Sequence, residues 1–429
     1  MSVSNGNLNI GASRTVAGFM NNPAFARSRE VQARKKSGFF GNMATKIGEN
    51  FGSSRTDRDV QLSKTSAMLR VEKTKGDTHN WTMEKVLTGA PSFGDQRPET
   101  GGTLGFLHAE VQLNKTRSPA FQLPAEMDQI RAAGSIDINW DSAIRDQVAK
   151  WHGEAMAHEH IITALKGASD NLLRTTAEGA RALDLGRGAG VQVSPLNFIV
   201  RGLGKVTGAT LAAREADAIS KIGSLSNATA SHLLSPNALM ELSEEISCAQ
   251  TEMVGMEIGG EERFFLALPS MARNTLQGAA SAIVDYAKYQ AAWGKDSPLL
   301  QMAKFEIGKF IVIYDDFLNK YSPDVTGANI IWGKDTTEFQ SWGFGDLTPA
   351  QQGRGIGLVF GQKAMLQAYN AGIGYTTDEG PHETSKEISS YVKRSTVRAM
   401  WNDKQDASAL PKEYGTMAYC FAMKAITHT

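Results

Sequence analysis

Three histidines close together in the chain are the first residues whose type and spacing suggest chemistry. His152, His158 and His160 lie in one stretch with Glu154 and Glu159. A zinc-binding helix needs the HExxH spacing, which places two histidines on one face, and this stretch lacks it. His158 instead falls among apolar residues, with Glu154 one helical turn before it. The spacing favours a buried or interfacial histidine paired with Glu154, and a metal ligand is the alternative.

Two glycine-rich stretches resemble phosphate-binding loops, in which glycines let backbone N–H groups point at an anion. They are GRGAG (186–190) and RGLGKVTG (201–208). Neither has the GxGxxG spacing, and Val206 follows Lys205 where a phosphate loop has Ser or Thr. The pattern favours flexible loops. Nucleotide binding is the alternative, and it would make the chain a cytoplasmic α/β enzyme that binds a phosphorylated ligand.

Two aspartates, Asp315 and Asp316, follow the apolar run FIVIY, as magnesium-binding carboxylates follow strands in many nucleoside triphosphatases. Without a phosphate loop, the favoured interpretation is a pair that caps or turns the end of a strand. Cys248 and Cys420 lie far apart without CxxC partners, and the chain has no GxSxG motif. The sequence therefore predicts no enzymatic activity, no cofactor and no metal.

The composition is that of an ordinary globular protein, with 41% hydrophobic and 21% charged residues in a chain of 429. No apolar stretch approaches the roughly 20 residues needed to cross a bilayer. The first residues also lack the basic and then apolar pattern of a signal peptide. We therefore expect neither a membrane protein nor an exported one.

The net charge of zero hides a basic N-terminal segment. Residues 1–48 carry seven basic residues against Glu30, a net charge of +6, so the remainder of the chain totals −6. The segment has no helical or alternating period, which predicts an arm. Such an arm binds the acidic body of a neighbouring copy, binds nucleic acid, or is a solvated tail. We favour the neighbouring copy because apolar residues that need burial alternate with the arginines.

Apolar spacing predicts three helices that position these residues. Steps of three and four over about 139–166 predict a long helix with one apolar stripe and a charged opposite face. A second helix begins at Ser235-Pro236. The capping box TPAQ (348–351) predicts a third, although Gly353, Gly357 and Gly361 lie inside it. We expect these glycines to form a groove of small residues that another backbone approaches closely.

Short apolar runs predict the strands. RFFLAL (263–268) and KFIVIY (309–314), with a helix over about 271–292 between them, indicate an α/β or α+β layer. Further strands are expected within 60–72 and 104–113, separated by a Gly- and Pro-rich projecting loop, and a closing strand is expected within 414–426.

Several stretches follow the order found in the major capsid proteins of tailed double-stranded DNA phages, although the likeness of each stretch alone is weak. The chain resembles that class and, more narrowly, the family of the coliphage N-four capsid protein. The likeness covers about residues 60–425. The stretches are KGDTHNWTMEKVLTGAPSFGDQRPE (75–99), RDQVAKWHGEAMAHEHIITALKG (145–167), ERFFLALPSMARNTLQ (262–277), SPLLQMAKFEIGKFIVIYDD (297–316), GIGLVFGQKAMLQAY (355–369) and EYGTMAYCFAMK (413–424).

The resemblance implies the α+β Hong Kong 97-type capsid fold, with an arm, an extended loop, a peripheral domain with a long spine helix, and an axial domain. The implied boundaries are 1–60 for the N-terminal arm, 61–135 for the extended loop and its strands, 136–240 for the peripheral domain, 241–380 for the axial domain, and 381–429 for the return to the peripheral domain.

The resemblance also implies a structural virion protein that assembles into the icosahedral head of a tailed phage, made in the bacterial cytoplasm. Its partners would be its own copies in hexamers and pentamers, packaged double-stranded DNA bound without sequence specificity, and portal, scaffold or decoration proteins. The residues expected at contacts between subunits are Arg27, Arg29, Arg34, Lys35, Lys36, Phe39, Phe40, Phe93, Asp95, Arg97 and Glu99.

Overall fold

The structure is a computed structural model that describes part of the chain. The described residues are 33, 37–47, 66–72, 78–84, 106–113, 115–117, 121–124, 140–167, 195–248, 253–277, 305–326, 329–332, 353–379, 385–403 and 411–424.

The described residues contain both helices and strands. The helices are α1 (Gly38–Asn42), α2 (Trp140–Lys166), α3 (Leu211–Ser224), α4 (Pro236–Ser247) and α5 (Ala272–Gln277), and 3₁₀ turns cover Ala230–His232 and Asp316–Lys320. The first strands are β1 (Ala44–Ile47), β2 (Met68–Glu72), β3 (Thr78–Glu84), β4 (Phe106–Gln112), β5 (Lys115–Arg117), β6 (Phe121–Pro124), β7 (Asn197–Val200), β8 (Gly204–Lys205), β9 (Met256–Ile258) and β10 (Glu261–Pro269). The later strands are β11 (Phe305–Ile307), β12 (Phe310–Asp315), β13 (Pro323–Thr326), β14 (Asn329–Trp332), β15 (Arg354–Phe360), β16 (Met365–Glu379), β17 (Ser385–Arg398), β18 (Asn402–Asp403) and β19 (Thr416–Ala422).

The largest sheet, which we call the large sheet, has the order β11-β12-β10-β15-β19-β7-β8, with β9 paired to β10. Strand β10 is parallel to β12, and β19 is parallel to β7, whereas β15 is antiparallel to both of its neighbours. Side chains alternate between the two faces, as strand geometry requires. Phe265 and Ala267 therefore join one core, and Phe264 and Leu266 join the other. Helix α4 covers the second core, while α1, α2 and α3 cover the first.

A second sheet, which we call the helix-bound sheet, has the order β1-β2-β16-β17-β5, with β6 also paired to β17. Its centre is the long antiparallel hairpin of β16 and β17. Helix α2 packs against β17 on one face. A three-stranded sheet of β18, β4 and β3 covers the other face, where Trp81 and Trp401 are buried with Leu366 and Val397.

Helix α2 lies between the large sheet and the helix-bound sheet. Every residue from 155 to 166 is buried, so the second half of the helix is enclosed on all sides. Ala157, Ile161 and Leu165 join the core of the large sheet. The sequence predicted an apolar stripe opposite a charged face. Asp146 and Lys150 are exposed as predicted, but in the second half of the helix Glu159 and Lys166 are buried instead of facing solvent.

Several predicted elements are confirmed. The long helix is α2, the helix at Ser235-Pro236 is α4, and the two apolar runs are β10 and β12. The helix expected over 271–292 begins as α5, and residues 278–292 lie outside the described part. The closing strand is β19, which lies between β15 and β7 in the large sheet. Within the described residues, no helix is long and apolar enough to cross a membrane.

The helix predicted from residue 348 is wrong. Residues 348–352 lie outside the described part, and the following residues form strands β15 and β16. The expected close approach of another backbone is present at Gly361, where an added Cβ would lie against the Val254 carbonyl oxygen. At Gly355 and Gly357 the close neighbours are the side chains of Phe421 and Leu268. Glycines at alternate strand positions let neighbouring large side chains pack across β15.

Candidate functional site

A row of polar side chains runs along the buried face of β17. The residues of this row are two or four positions apart in β17, so they share the strand face that meets α2. They are Ser390, Arg394, Thr396 and Arg398. All four are at least nine-tenths buried. Buried polar groups need partners, since an unpaired one costs about 1–3 kcal/mol. We call the contacts that this row makes with α2 the polar seam.

The polar seam pairs helix and strand at successive levels. The partners, in chain order, are His152 Nε2 with Ser390 Oγ (2.9 Å), Arg394 Nε donating to Glu159 Oε2 (2.6 Å), Thr163 Oγ1 donating to the Thr396 carbonyl (3.3 Å), Arg398 Nη1 donating to the Ala164 carbonyl (2.8 Å), and the Arg398 N–H donating to the Gly167 carbonyl (2.9 Å).

The order of these contacts shows that α2 and β17 run in the same direction. From His152 to Gly167 a helix rises about 22 Å, and from Ser390 to Arg398 a strand spans about 26 Å. The two lengths are close enough for every level to find its partner. The seam therefore fixes the position of the helix along the strand, which apolar packing alone does not specify.

The end of the polar seam joins the two sheets. Arg398 Nε lies 2.6 Å from Glu413 Oε1, and both side chains are almost fully buried. Glu413 Oε2 also accepts from the Leu196 N–H (2.7 Å), and the Glu413 carbonyl accepts from Asn197 Nδ2 (2.7 Å). Burial raises the pKa of Glu413, while the Arg398 charge favours the ionised carboxylate. One ion pair thus ties β17 and α2 to β7 and to the segment that leads into β19.

The other two histidines of α2 contact different elements. His158 Nδ1 lies 2.9 Å from Tyr321 Oη, and its ring meets the Phe317 ring edge-on. His160 Nδ1 donates to the Phe40 carbonyl at 2.6 Å. Burial of the rings lowers the pKa of His152, His158 and His160 from 6.5 to about 3, so all three are neutral at physiological pH. His158 is buried as the sequence predicted, but its partner is Tyr321 and not Glu154.

Phe39 and Phe40, predicted to contact a neighbouring subunit, lie in this chain's own core. Their exposed fractions are 1% and 0%, and both rings pack on Phe360. That assignment is corrected, because α1 inserts both rings between α2 and the large sheet and leaves neither available to a partner. The other predicted contact residues lie outside the described part: Arg27, Arg29, Arg34, Lys35, Lys36, Phe93, Asp95, Arg97 and Glu99.

Asp315 holds α1 from the side of the large sheet. Its Oδ1 accepts from the Phe317 N–H at 2.8 Å, and it also accepts from the Phe39 N–H. Burial raises the pKa of this carboxyl to about 6. The prediction that the aspartate pair caps the end of a strand is confirmed, since Asp315 closes β12 and starts the 3₁₀ turn that follows it. Asp316 accepts from Ser270 Oγ.

The glycine stretch 201–208 forms the hairpin turn between β7 and β8. Gly202 and Gly204 have positive φ angles of 77° and 80°, and a Cβ on Gly202 would lie 2.6 Å from His232. The next helix, α3, is capped by Thr210, whose Oγ1 accepts from the Ala213 N–H at 3.2 Å. The stretch is therefore a packed turn and not the cradle that a phosphate loop builds at a helix N-terminus. Residues 186–190 lie outside the described part.

The polar seam was not predicted from the sequence. Within Ser385–Arg398 polar residues occupy both strand faces, so no alternation marks the buried side. Glu413 lies in a short polar segment that gives no signal either. In the described residues, no group of three or more His, Cys, Asp or Glu side chains is arranged to hold a metal ion.

Comparison with known proteins identifies the fold through structure alone. No protein-family model and no curated protein sequence matches the chain. The capsid of Ralstonia phage GP4 aligns with a TM-score of 0.58 at 15% identity, covering 86% of this chain and 90% of that chain. The capsid asymmetric unit of cyanophage Pam1 gives 0.55 at 15% identity, with 84% and 90% covered. The head of Helicobacter pylori bacteriophage KHP40 gives 0.50 at 11% identity, with 90% and 91% covered.

These likenesses confirm the predicted α+β fold of the Hong Kong 97 type. The alignments extend over most of the chain. At identities this low, the likeness describes the fold, and the role of the chain follows by inference from it.

Proposed function

We propose that this chain is a structural virion protein, the major capsid protein of a tailed bacteriophage. Copies of it assemble into hexamers and pentamers that close into an icosahedral head around double-stranded DNA. The chain acts without catalysis or a cofactor. It is made in the bacterial cytoplasm and ends up in the virion.

One observation carries this proposal: the fold of phage capsids and heads extends over at least 84% of the chain in each of the three alignments. The polar seam agrees with a structural role. Hydrogen bonds and an ion pair hold α2 against two sheets, which makes a subunit stiff enough to repeat in a closed lattice.

The finer assignments belong to the same proposal. We place the chain in the family of the coliphage N-four capsid protein, with the arm (1–60), extended loop (61–135), peripheral domain (136–240 and 381–429) and axial domain (241–380) named above. Portal, scaffold and decoration proteins are its proposed additional partners.

The proposed contacts between subunits use the basic arm and the extended loop. Arg27, Arg29, Arg34, Lys35 and Lys36 would reach the acidic body of a neighbouring copy, with packaged DNA as the other occupant. Opposite charges favour either encounter, and a contact with DNA weakens steeply with salt. In the loop, the residues proposed for the neighbour are Phe93, Asp95, Arg97 and Glu99.

The test is the assembly state of the purified full-length chain. We expect sedimentation velocity and negative-stain electron microscopy to show rings of five or six subunits, tubes or closed shells, because obligate interfaces of about 2,000–5,000 Å² bind copies firmly. A stable monomer or dimer at high concentration would contradict the proposal.

The enzyme alternative finds no support in the described glycine stretch. Within residues 201–208, the backbone N–H groups of Arg201, Leu203, Val206 and Thr207 already donate to acceptors of this chain. Tight binding of a nucleotide by a purified monomer would reopen that alternative.

A further inference from the structure

Each of the three buried histidines of α2 binds a different element of the fold. His152 reaches β17, His158 reaches the residue that follows the 3₁₀ turn at Asp316–Lys320, and His160 reaches α1. These elements come from distant parts of the chain. Helix α2 therefore contacts three elements at the same time. They are α1, the long hairpin of β16 and β17, and the 3₁₀ turn at the end of β12.

The contacts of His160 define its tautomer. Its Nδ1 faces the Phe40 carbonyl, which only accepts, so Nδ1 carries the proton. Its Nε2 faces Gln367 Nε2 at 3.1 Å and must accept in the neutral ring. Gln367 Nε2 also donates to Thr396 Oγ1 at 3.0 Å. With the amide in this orientation, a proton added at Nε2 of His160 would place two donors against each other in a buried site.

Among the described residues, the charged groups that shift the pKa values of these histidines are cations. Glu159, the carboxylate between His158 and His160 in the chain, pairs with Arg394. Burial together with the facing cations holds the pKa of each histidine at about 3. The facing cations are Arg394 on β17 for His152 and His160, Lys320 in the turn for His158, and Arg70 on β2 for His160.

We propose that α2 is an acid-sensitive hub. Protonation of its buried histidines releases α1, β17 and the 3₁₀ turn from the helix together, while the α4 face of the large sheet stays folded. The inference concerns the folded chain itself and does not depend on its assembly into a shell.

The direction of the pH effect follows from linkage. The histidine pKa values fall from 6.5 unfolded to about 3 folded, so their contribution is complete above pH 6.5 and is lost as the pH falls toward 3. Two buried carboxyls act in the opposite sense, because burial raises the pKa of Asp315 from 3.8 to about 6 and also raises the pKa of Glu413. The three histidines outnumber them, and each histidine pKa falls from 6.5 to about 3, so we expect a net loss of stability on acidification.

The order of release in the unmodified full-length chain is the first test. The protein is incubated at steps from pH 6.5 down to 3 and pulse-labelled with deuterium, the labelling time is scaled to the intrinsic exchange rate at each pH, and mass spectrometry compares the protection of the described elements. We expect α1, α2 and the 3₁₀ turn to lose protection at a higher pH than α4. Loss of protection in α4 or β10 first, or at the same pH, would overturn the proposal, and this test needs no variant.

Three single substitutions provide the second test. His152→Gln, His158→Asn and His160→Asn each keep an amide near the position of the bonded ring nitrogen but do not titrate. We expect each variant to release α2 at a pH about one unit lower than the unmodified chain, because one of three proton-binding sites is gone. His232→Asn is the matched control, since His232 accepts from the Ser226 N–H in the α3–α4 connection, away from α2. Equal release pH in all four variants would overturn the proposal.

Discussion

At the scale of single residues, Arg398 and Glu413 show why a buried ion pair matters more for position than for stability. Transferring both charges out of water has a large unfavourable free energy, and their attraction only offsets it when the remaining donors and acceptors are also bonded. Here the Leu196 N–H and the Ala164 carbonyl supply those bonds. The pair therefore holds in one geometry, which sets how the two sheets meet.

Removing one member of this pair should be strongly destabilising. We expect Arg398→Met to lower the free energy of unfolding by about 3–5 kcal/mol, because the buried Glu413 loses its ion-pair partner. The double variant R398M/E413Q should recover part of that loss. Urea denaturation followed by circular dichroism measures both values.

The matched control is Lys309→Gln, which breaks the partly exposed pair with Glu262. Its expected effect is under about 1 kcal/mol. If Arg398→Met were as mild as this control, the ion pair would not be what joins the sheets.

At the scale of elements, β15 shows how packing overrides a local helix signal. The stretch that begins at Thr348 has a capping box, but each glycine inside a helix loses roughly 1 kcal/mol relative to alanine. In β15 the same glycines accept the Phe421 ring and the Leu268 side chain of neighbouring strands. The stretch therefore forms a strand, because the glycines leave space for these side chains of the neighbouring strands.

Gly361, just after β15, gives a direct test of this close packing. A Cβ there would lie against the Val254 carbonyl oxygen and 3.2 Å from the Phe264 ring. We expect Gly361→Ala to lower the free energy of unfolding by about 1–3 kcal/mol, measured by thermal or urea denaturation.

Gly223 is the control for this substitution. It lies in α3 with open space around its Cβ position. Gly223→Ala should raise stability by about 0.5–1 kcal/mol, because alanine favours the helix. A stabilising Gly361→Ala would show that the close approach at β15 is not needed.

At the scale of the whole molecule, the N-terminal segment divides into two parts with different roles. Residues 38–47 belong to the body, since α1 fills the core and β1 is an edge strand of the helix-bound sheet. Most of the basic residues precede α1. Of the proposed contact residues, Arg27 and Arg29 can be removed without touching α1, whereas Arg34, Lys35 and Lys36 lie directly before it.

Two truncations should separate these roles. A chain lacking residues 1–32 keeps Ala33 and α1, so we expect normal urea denaturation but weakened assembly in electron micrographs. A chain lacking residues 1–40 also loses Phe39 and Phe40, and each buried phenylalanine removed lowers stability by about 3–5 kcal/mol.

Either truncation can contradict its assignment. Normal assembly of the shorter deletion would exclude a contact role for residues 1–32, which include Arg27 and Arg29. Equal urea midpoints for the two chains would show that α1 does not anchor the body.

Local patterns in the sequence were enough to predict the long helix and the apolar strands. The order of the stretches was enough to show the resemblance to phage capsid proteins. Helical and strand periods depend on local spacing, so α2, α4, β10 and β12 could be predicted without knowing their neighbours. Even the close approach at the glycines of β15 could be foreseen, although the element around them could not.

The burial of polar residues and the identity of their partners could be seen only in the folded chain. The polar pattern around Ser390, Arg394 and Arg398 is typical of a solvated strand. Their partners on α2 lie more than two hundred residues away in the chain. The sequence around Phe39 and Phe40 likewise suggested contacts with a neighbouring subunit. A side chain becomes buried, or finds its ion-pair partner, only when distant elements meet, and local spacing carries no information about that meeting.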